Sequence, residues 1–257
     1  MTTQHHRSDT ASREKSVRVH EIEPFVTQGM ITGIYRQLTS GKEATVYCCR
    51  ADPSTRARFV AVKVYRPHVA SGYRRSGSYF EGMERRLKTR TLRAIRAGTR
   101  FGQRAIDGLW VAVEYEHLER LHRAGAAVPR PLGLSGHAIA MEYVGNGAGP
   151  APQLREAELD RATAQDVRDE ILESVVVLLR NHTVHGDLSP YNILLWKGRP
   201  TLIDLPQAVD VRFNGEAAML LQRDLENLST FFAKCGSGFD ARRLTETLWT
   251  RYQRARL

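Results

Sequence analysis

Two aspartates and an asparagine in the C-terminal half of the sequence have side chains and spacing suited to phosphoryl transfer from ATP. Residues 185–192 read His-Gly-Asp-Leu-Ser-Pro-Tyr-Asn, and Asp204 follows downstream. This chemistry needs a carboxylate that orients the attacking hydroxyl, and hard oxygen ligands that hold Mg²⁺ against the phosphates. Asp187 fits the first role, and Asn192 with Asp204 fits the second. Because Asp, Ser, Pro and Asn also favour turns, an ordinary turn explains the segment equally well when it is taken alone.

A lysine stands far upstream in an apolar strand pattern. Residues 60–65 read Val-Ala-Val-Lys-Val-Tyr, so alternation places Lys63 on the same face as Ala61. The small side chain of Ala61 leaves room for a flat ring, and the pattern is similar to the kinase strand whose lysine contacts the α- and β-phosphates of ATP. The alternative is a lysine on an exposed strand edge.

A lysine in a cleft needs a carboxylate partner, because an uncompensated charge there is costly. Glu114 is the candidate on the next predicted helix, and Glu116 and Glu119 on the same helix stay open as alternatives. Upstream of the lysine, residues 40–47 read Ser-Gly-Lys-Glu-Ala-Thr-Val-Tyr. The backbone N–H groups of such a strand–turn–strand can bind phosphates, although a plain hairpin explains it as well.

These residues require a scaffold with strands first and helices later. Residues 31–65 predict an antiparallel meander, residues 83–97 and 108–124 predict helices, and a strand over 138–144 runs into the glycine-rich stretch 145–150. Helices are predicted beyond it. We therefore predict an α+β, bilobal fold with an antiparallel-sheet N-lobe and a mostly helical C-lobe. The order of the candidate motifs along the chain is the order found in kinases, so we expect this fold to be protein-kinase-like. Its predicted parts are a disordered tail (1–28), an N-lobe (29–144) with a basic insert (66–104), and a C-lobe (145–257).

The charge of the chain is concentrated in that insert. The net charge is +10 over 257 residues, and residues 66–104 hold eleven Arg or Lys against two Glu. A solvated insert and a surface for RNA or a ribosomal particle are both compatible with this pattern. The N-terminal residues lack the apolar run of a signal peptide, so we expect a cytoplasmic protein that does not contact a membrane. Three cysteines without metal or redox spacing predict reduced thiols.

Several motifs together resemble the RIO family of atypical serine/threonine protein kinases, in particular its type-1 branch. The phosphate turn 40–47, the lysine strand 61–65, the hinge-like 141–145, the loop 185–194 and the segment 203–209 are each similar to a RIO motif. Residues 223–227, which read Arg-Asp-Leu-Glu-Asn, resemble the closing helix of that family.

The resemblance implies a serine/threonine protein kinase that uses ATP and Mg²⁺, acts on an unknown protein substrate and also hydrolyses ATP through a phospho-aspartate at Asp204. Asp187 would be the catalytic base, and Asn192 and Asp204 would bind Mg²⁺. Glu142 and Val144 would present hinge backbone groups to adenine. The remaining ATP-binding residues would be Ser40, Gly41, Lys42, Val46, Ala61, Lys63, Glu114 and Met141.

Two positions depart from the RIO pattern. Gly186 stands where the family usually has alanine, and Pro206 stands where it usually has serine or glycine. The His-Gly-Asp form is also common in small-molecule kinases such as aminoglycoside phosphotransferases, which gives one alternative function. The other is an RNA- or ribosome-binding factor that uses ATP as a conformational ligand.

Overall fold

The computed structural model describes residues 20–66 and 89–257, which divide into two compact units. Unit 1 contains the described residues 20–66, 89–115 and 131–143, and unit 2 contains 116–130 and 144–257. An antiparallel sheet dominates unit 1 and helices dominate unit 2, which confirms the predicted α+β class. The predicted lobe boundary at 144/145 stays a prediction.

Unit 1 contains a sheet of five antiparallel strands. The strands are β1 (Ile31–Ser40), β2 (Ala44–Ala51), β3 (Phe59–Tyr65), β4 (Pro131–Ser135) and β5 (Ala138–Glu142). They are hydrogen-bonded in the order β1-β2-β3-β5-β4. Alternating apolar side chains and short turns explain these strands. At the β2–β3 turn, for example, Asp52 accepts the Ser54 N–H at 2.9 Å.

A short helix, α1 (residues 20–27), covers one face of this sheet. Ile22 and Phe25 are buried in a core that includes Val60 and Val62 of β3. The prediction of a disordered tail over 1–28 is therefore wrong for residues 20–28, because two apolar side chains one turn apart fix this helix against the sheet. Residues 1–19 lie outside the described residues.

Two helices begin within the predicted basic insert. They are α2 (Thr89–Arg96) and α3 (Arg100–Arg123). The predicted start of the second helix at 108 is wrong, since Thr99 accepts the Gly102 N–H at 3.0 Å and begins α3 earlier. Gly102 is required there, because a Cβ would lie 2.2 Å from the carbonyl oxygen of Ala94 in α2. Residues 67–88, most of the predicted insert, lie outside the described residues.

Unit 2 is built on three further helices, which bury Ile171, Leu179, Leu225 and Phe232. They are α4 (Arg161–Arg180), α5 (Ala217–Lys234) and α6 (Ala241–Gln253). Two short antiparallel pairs lie between α4 and α5 and frame the loops that carry the candidate chemistry. These strands are β6 (Thr183–Val184), β7 (Ile193–Trp196), β8 (Arg199–Leu202) and β9 (Val209–Asp210).

Cys48, Cys49 and Cys235 are free thiols, as predicted. Within residues 20–66 and 89–257, no helix combines the length and the apolar character that crossing a membrane requires.

Candidate active site

The loop between β6 and β7 presents the candidate catalytic aspartate at the surface of unit 2. Asp187 is exposed, whereas His185, Gly186 and Leu188 around it are buried. Asn192 Nδ2 donates to the backbone oxygen of Asp187 at 2.8 Å and to its Oδ2 at 3.1 Å. The loop thus brings Asp187 and Asn192 together as the sequence predicted, with the carboxylate fixed by the amide.

The segment after β8 places Asp204 beside the same loop. The Ile203 N–H donates to the Asn192 carbonyl at 2.9 Å, and His185 Nε2 lies 3.1 Å from the Ile203 carbonyl. Asp204 has a φ of +69°, a left-handed conformation that few non-glycine residues adopt. Burial lowers the pKa of His185, so the ring is neutral and Nε2 is the donor. These contacts couple the predicted metal aspartate to the candidate catalytic loop.

The amide of Asn192 fits a metal ligand. Because its Nδ2 is engaged by Asp187, Oδ1 is the atom that remains for a cation. The described residues contain no group of three His, Cys, Asp or Glu that could hold a metal alone. Two oxygen ligands, from Asn192 and Asp204, nevertheless suit Mg²⁺, which usually keeps several waters and is completed by substrate phosphates.

Helix α5 anchors the 185–192 loop, a role that sequence reasoning did not assign. The buried Asp224 carboxylate accepts the N–H groups of Gly186 at 2.8 Å and Leu188 at 2.9 Å. Asn227 Nδ2 donates to the Leu188 carbonyl at 3.1 Å, and Arg223 donates to the Gly186 carbonyl. Burial raises the pKa of the Asp224 carboxyl group to about 7. The hydrogen bonds from the Gly186 and Leu188 N–H groups oppose this rise, because they favour the ionised carboxylate. The Arg-Asp-x-x-Asn pattern of residues 223–227 is the sequence feature from which this anchoring could have been predicted.

Both departures from the RIO pattern have a local structural reason. Gly186 has a φ of +79°, and a Cβ there would lie 2.4 Å from the Gln207 carbonyl oxygen, so this loop requires glycine. Pro206 occupies the second position of a turn that the Ala208 N–H closes onto the Leu205 carbonyl at 3.0 Å. Proline is favoured at that position of a β-turn.

In unit 1, Lys63 forms an ion pair with Glu114 of α3. Nζ lies 3.0 Å from Oε1, and the side chains are only 12% and 8% exposed. Glu114, rather than Glu116 or Glu119, is the carboxylate whose contact with Lys63 the structure shows. The Tyr65 hydroxyl also donates to Glu114, and Lys63 Nζ lies 4.9 Å from the Tyr65 ring centroid. Glu114 therefore has two partners on β3, of which the sequence indicated only one.

One face of the sheet gathers the other predicted nucleotide-binding side chains. Val46 of β2 pairs with Lys63, and Met141 of β5 pairs with Ala61. Directly paired residues of antiparallel strands share a face, and Ala61 and Lys63 are two residues apart on β3. Val46, Ala61, Lys63 and Met141 thus line one surface, opposite the core packed by α1.

The turn between β1 and β2 is braced by an arginine that the sequence had assigned to the basic insert. Arg66 donates through Nε to the Gly41 carbonyl at 2.9 Å and through Nη2 to the Ser40 hydroxyl at 2.8 Å. The Gly41 N–H closes the turn onto the Ala44 carbonyl at 2.9 Å. The exposed Lys42 stands at its tip. The turn therefore holds the three predicted phosphate-binding residues Ser40, Gly41 and Lys42 next to one another. Arg66 supports the turn through its two hydrogen bonds.

In the hinge-like segment 141–145, one backbone carbonyl already accepts a hydrogen bond from within the chain. The Val144 carbonyl accepts the Ala151 N–H at 2.9 Å, and Val144 donates its own N–H to no other described residue. The Tyr143 ring packs against Phe59 with centroids 5.6 Å apart, and its hydroxyl oxygen accepts a hydrogen bond from Arg36 Nη2 at 3.4 Å. The backbone of Glu142 and Val144 remains the predicted adenine contact.

The comparisons with protein families and with known proteins all indicate the same family. The RIO domain model matches residues 45–244. The chain is 34% identical over 189 residues to the RIO-type serine/threonine-protein kinase Rio1 of Thermoplasma acidophilum, covering 74% of this chain and 92% of that protein. It is 31% identical to the serine/threonine-protein kinase RIO1 of Chaetomium thermophilum, covering 90% of this chain and 46% of that protein.

The fold has a solved counterpart. The crystal structure of the Rio2 kinase-ADP/Mg²⁺-phosphoaspartate complex from Chaetomium thermophilum matches with a TM-score of 0.61 at 18% identity. The match covers 83% of this chain and 59% of that one. This likeness confirms the predicted kinase-like fold. The extent of the family match and the identity to Rio1 show that the chain belongs to the RIO domain family of serine/threonine-protein kinases.

Proposed function

We infer that this chain is an ATP-dependent serine/threonine protein kinase that transfers the γ-phosphoryl group of ATP to a protein hydroxyl. The observation that carries this proposal is the loop 185–192, where Asn192 fixes the exposed Asp187 carboxylate through its amide nitrogen. The membership in the RIO domain family supports it. That membership also favours a protein substrate over the small molecules of aminoglycoside-type kinases.

In the proposed reaction, Asp187 accepts the proton of the substrate hydroxyl as that hydroxyl oxygen bonds to the γ-phosphorus and the bond between the γ-phosphorus and the departing ADP breaks. Asn192 keeps the Asp187 carboxylate oriented. Lys63, oriented by Glu114, neutralises charge on the α- and β-phosphates, and the turn at Gly41 offers backbone N–H groups to the phosphates.

Mg²⁺ is assigned to Asn192 Oδ1 and the Asp204 carboxylate. When bound, Mg²⁺ would neutralise the charge that develops on the phosphate oxygens. Oxygen ligands are the appropriate donors for this ion.

ATP hydrolysis is proposed as a second outcome at Asp204. Its carboxylate oxygen would form a bond to the γ-phosphorus, the bond to the departing ADP would break, and water would then release phosphate. The phosphoaspartate named in the Rio2 complex supports this assignment, and the exposure of Asp204 in this chain is compatible with it.

RNA or a ribosomal particle is the proposed further partner of residues 66–104. Among the described residues of that insert, α2 has no buried residue and carries Arg90, Arg93 and Arg96. Reversing these three charges to Glu should abolish binding of structured RNA at low salt while sparing ATP hydrolysis. RNA affinity that survives the reversal would exclude α2 as the contact.

Two substitutions test the catalytic assignment. Asp187→Ala and Asp204→Ala should each lower ATP turnover by at least about a hundredfold, since each removes a positioning or electrostatic element. Asp204→Ala should also weaken Mg²⁺-dependent nucleotide binding, measured by calorimetry, whereas Asp187→Ala should leave it nearly intact. Asp166→Ala on α4, which removes an exposed carboxylate, is the matched control. Wild-type turnover in either active-site variant would refute the assignment.

A further inference from the structure

His137, in the turn between β4 and β5, contacts three other elements of unit 1. Its backbone N–H donates to Glu21 Oε2 of α1 at 3.1 Å, and its Nδ1 lies 3.3 Å from Glu21 Oε1. Its Nε2 lies 3.3 Å from the Arg104 carbonyl oxygen of α3. Its own carbonyl accepts the Tyr65 N–H of β3 at 2.8 Å. One residue therefore joins α1, α3 and β3.

The surroundings of the ring are closely fitted. A Cβ on Gly136 would lie 2.5 Å from Glu21 Oε2, so the carboxylate covers the turn directly. A Cβ on Gly108 would lie 3.9 Å from His137 Nε2, so the ring lies against the backbone of α3. Gly136 has a φ of +53°, which suits glycine in this turn.

The elements that His137 joins are those that form the Lys63–Glu114 pair. Helix α3 carries both Arg104 and Glu114, and β3 carries both Lys63 and Tyr65. The hydroxyl of Tyr65 donates to Glu114, while its N–H donates to His137. A displacement of α3 at Arg104 would thus be transmitted along one helix to Glu114.

The two groups that face the imidazole nitrogens are both acceptors, a carboxylate and a carbonyl. A neutral imidazole has a single N–H and can donate to only one of them, whereas the imidazolium donates to both. We propose that protonated His137 is a positioning residue that ties α1 and α3 to the β4–β5 turn, sets the Lys63–Glu114 pair and makes nucleotide use depend on pH. Its effect on turnover rests on the proposed kinase function, and its effect on α3 does not.

The charges around the ring favour the protonated form. The Glu21 hydrogen bond raises the pKa of His137 above its ordinary value of 6.5, with burial opposing and Asp107 of α3 assisting. The same contact lowers the pKa of Glu21, with a further small effect from His20. The bridge is thus fully formed below pH 6.5, and it is lost as the pH rises through the raised pKa of His137.

The test follows the ring and the helix separately, by NMR in the absence of nucleotide. The imidazole signal of His137 is titrated from pH 5.5 to 9.5, and fluorotryptophan at Trp110 reports on α3, with Trp196 and Trp249 as references in unit 2. The expected result is a common apparent pKa above 6.5 for the ring and for Trp110. Glu21→Gln should lower both values together, and His137→Gln should abolish the Trp110 titration. His122→Gln, on the same helix, should change neither.

A second measurement links the bridge to nucleotide use. In the wild type and in the control His122→Gln, KM for ATP at the high-pH limit should exceed KM at the low-pH limit by about 2-fold to 30-fold. In His137→Gln, KM for ATP should be the same at both limits. A Trp110 signal that ignores the His137 titration overturns the proposal, even if ATP turnover is never observed. A KM profile that is identical in the wild type and His137→Gln overturns it as well. If His137→Gln does not fold, the wild-type and Glu21→Gln titrations decide.

Discussion

Removing the charges of the Lys63–Glu114 pair, singly and together, separates its contribution to stability from its contribution to catalysis. The two side chains are 12% and 8% exposed and their charged atoms are 3.0 Å apart. Breaking a buried pair by deleting one partner costs about 3–5 kcal/mol, because the other charge stays buried without compensation. Lys63→Met preserves the apolar stem, and Glu114→Gln preserves the acceptor for the Tyr65 hydroxyl.

The double variant Lys63→Met/Glu114→Gln contains no buried charge at this position and keeps an acceptor for Tyr65. Its free energy of unfolding should therefore return to within about 1.5 kcal/mol of the wild type, a strongly non-additive result. Its ATP turnover should stay at least about a hundredfold below the wild type, because the positive charge assigned to the phosphates is still missing.

The assays are urea denaturation and kcat/KM for ATP, measured on the same four proteins. The exposed pair Arg242–Glu246 on α6, 3.3 Å apart with side chains 80% and 67% exposed, is the matched control. Arg242→Met, Glu246→Gln and their combination should each change the free energy of unfolding by no more than about 0.5 kcal/mol and leave turnover unchanged. Recovery of ATP turnover in the double variant would show that the Lys63–Glu114 pair has a structural role only. If the two single variants lose free energy of unfolding and the double variant loses the sum, the pair does not behave as a buried ion pair.

Three other changes test the loops around the site. Gly186→Ala should lower the free energy of unfolding by at least about 2 kcal/mol in urea denaturation, because of the left-handed backbone and the approach to Gln207, whereas Gly149→Ala should be neutral. Burial raises the pKa of Asp224 from 3.8 to about 7, so between these pH values the carboxyl group is protonated in the folded state and ionised in the unfolded state. The contribution of Asp224 to the free energy of unfolding therefore falls as the pH rises from 3.8 to about 7. Asp224→Asn should remove that slope and lower turnover. Arg66→Gln should raise KM for ATP about tenfold with little loss of stability, because it releases the turn.

Local sequence patterns predicted the parts of the site that depend on neighbouring residues. Strand alternation placed Ala61 and Lys63 on one face, and the spacing of Asp187 and Asn192 placed both side chains on one loop. The sequence named Glu114 as the candidate but could not exclude two nearby glutamates, because that exclusion depends on how α3 packs against β3.

Long-range contacts explain what the sequence did not show. Asp224 binds backbone groups 38 and 36 residues earlier in the chain, a relation that no local pattern contains. Helix α1 was missed because its apolar residues Ile22, Phe25 and Val26 are few and stand among polar ones, and the roles of Ile22 and Phe25 are visible only beside the sheet. The start of α3 was placed too late because Gly102, which helix packing requires, resembles a loop residue.

The central claim, that this chain transfers the γ-phosphoryl group of ATP, is tested most directly with γ-labelled ATP, Mg²⁺ and the pure protein. After quenching in cold acid, free phosphate, hydroxylamine-resistant phosphoserine and phosphothreonine, and hydroxylamine-labile acyl phosphate are resolved. We expect label in free phosphate and in a hydroxylamine-labile species that Asp204→Ala lacks, and label on serine or threonine that Asp187→Ala lacks. Absence of labelled product above that of the Asp187→Ala/Asp204→Ala double variant would contradict the account.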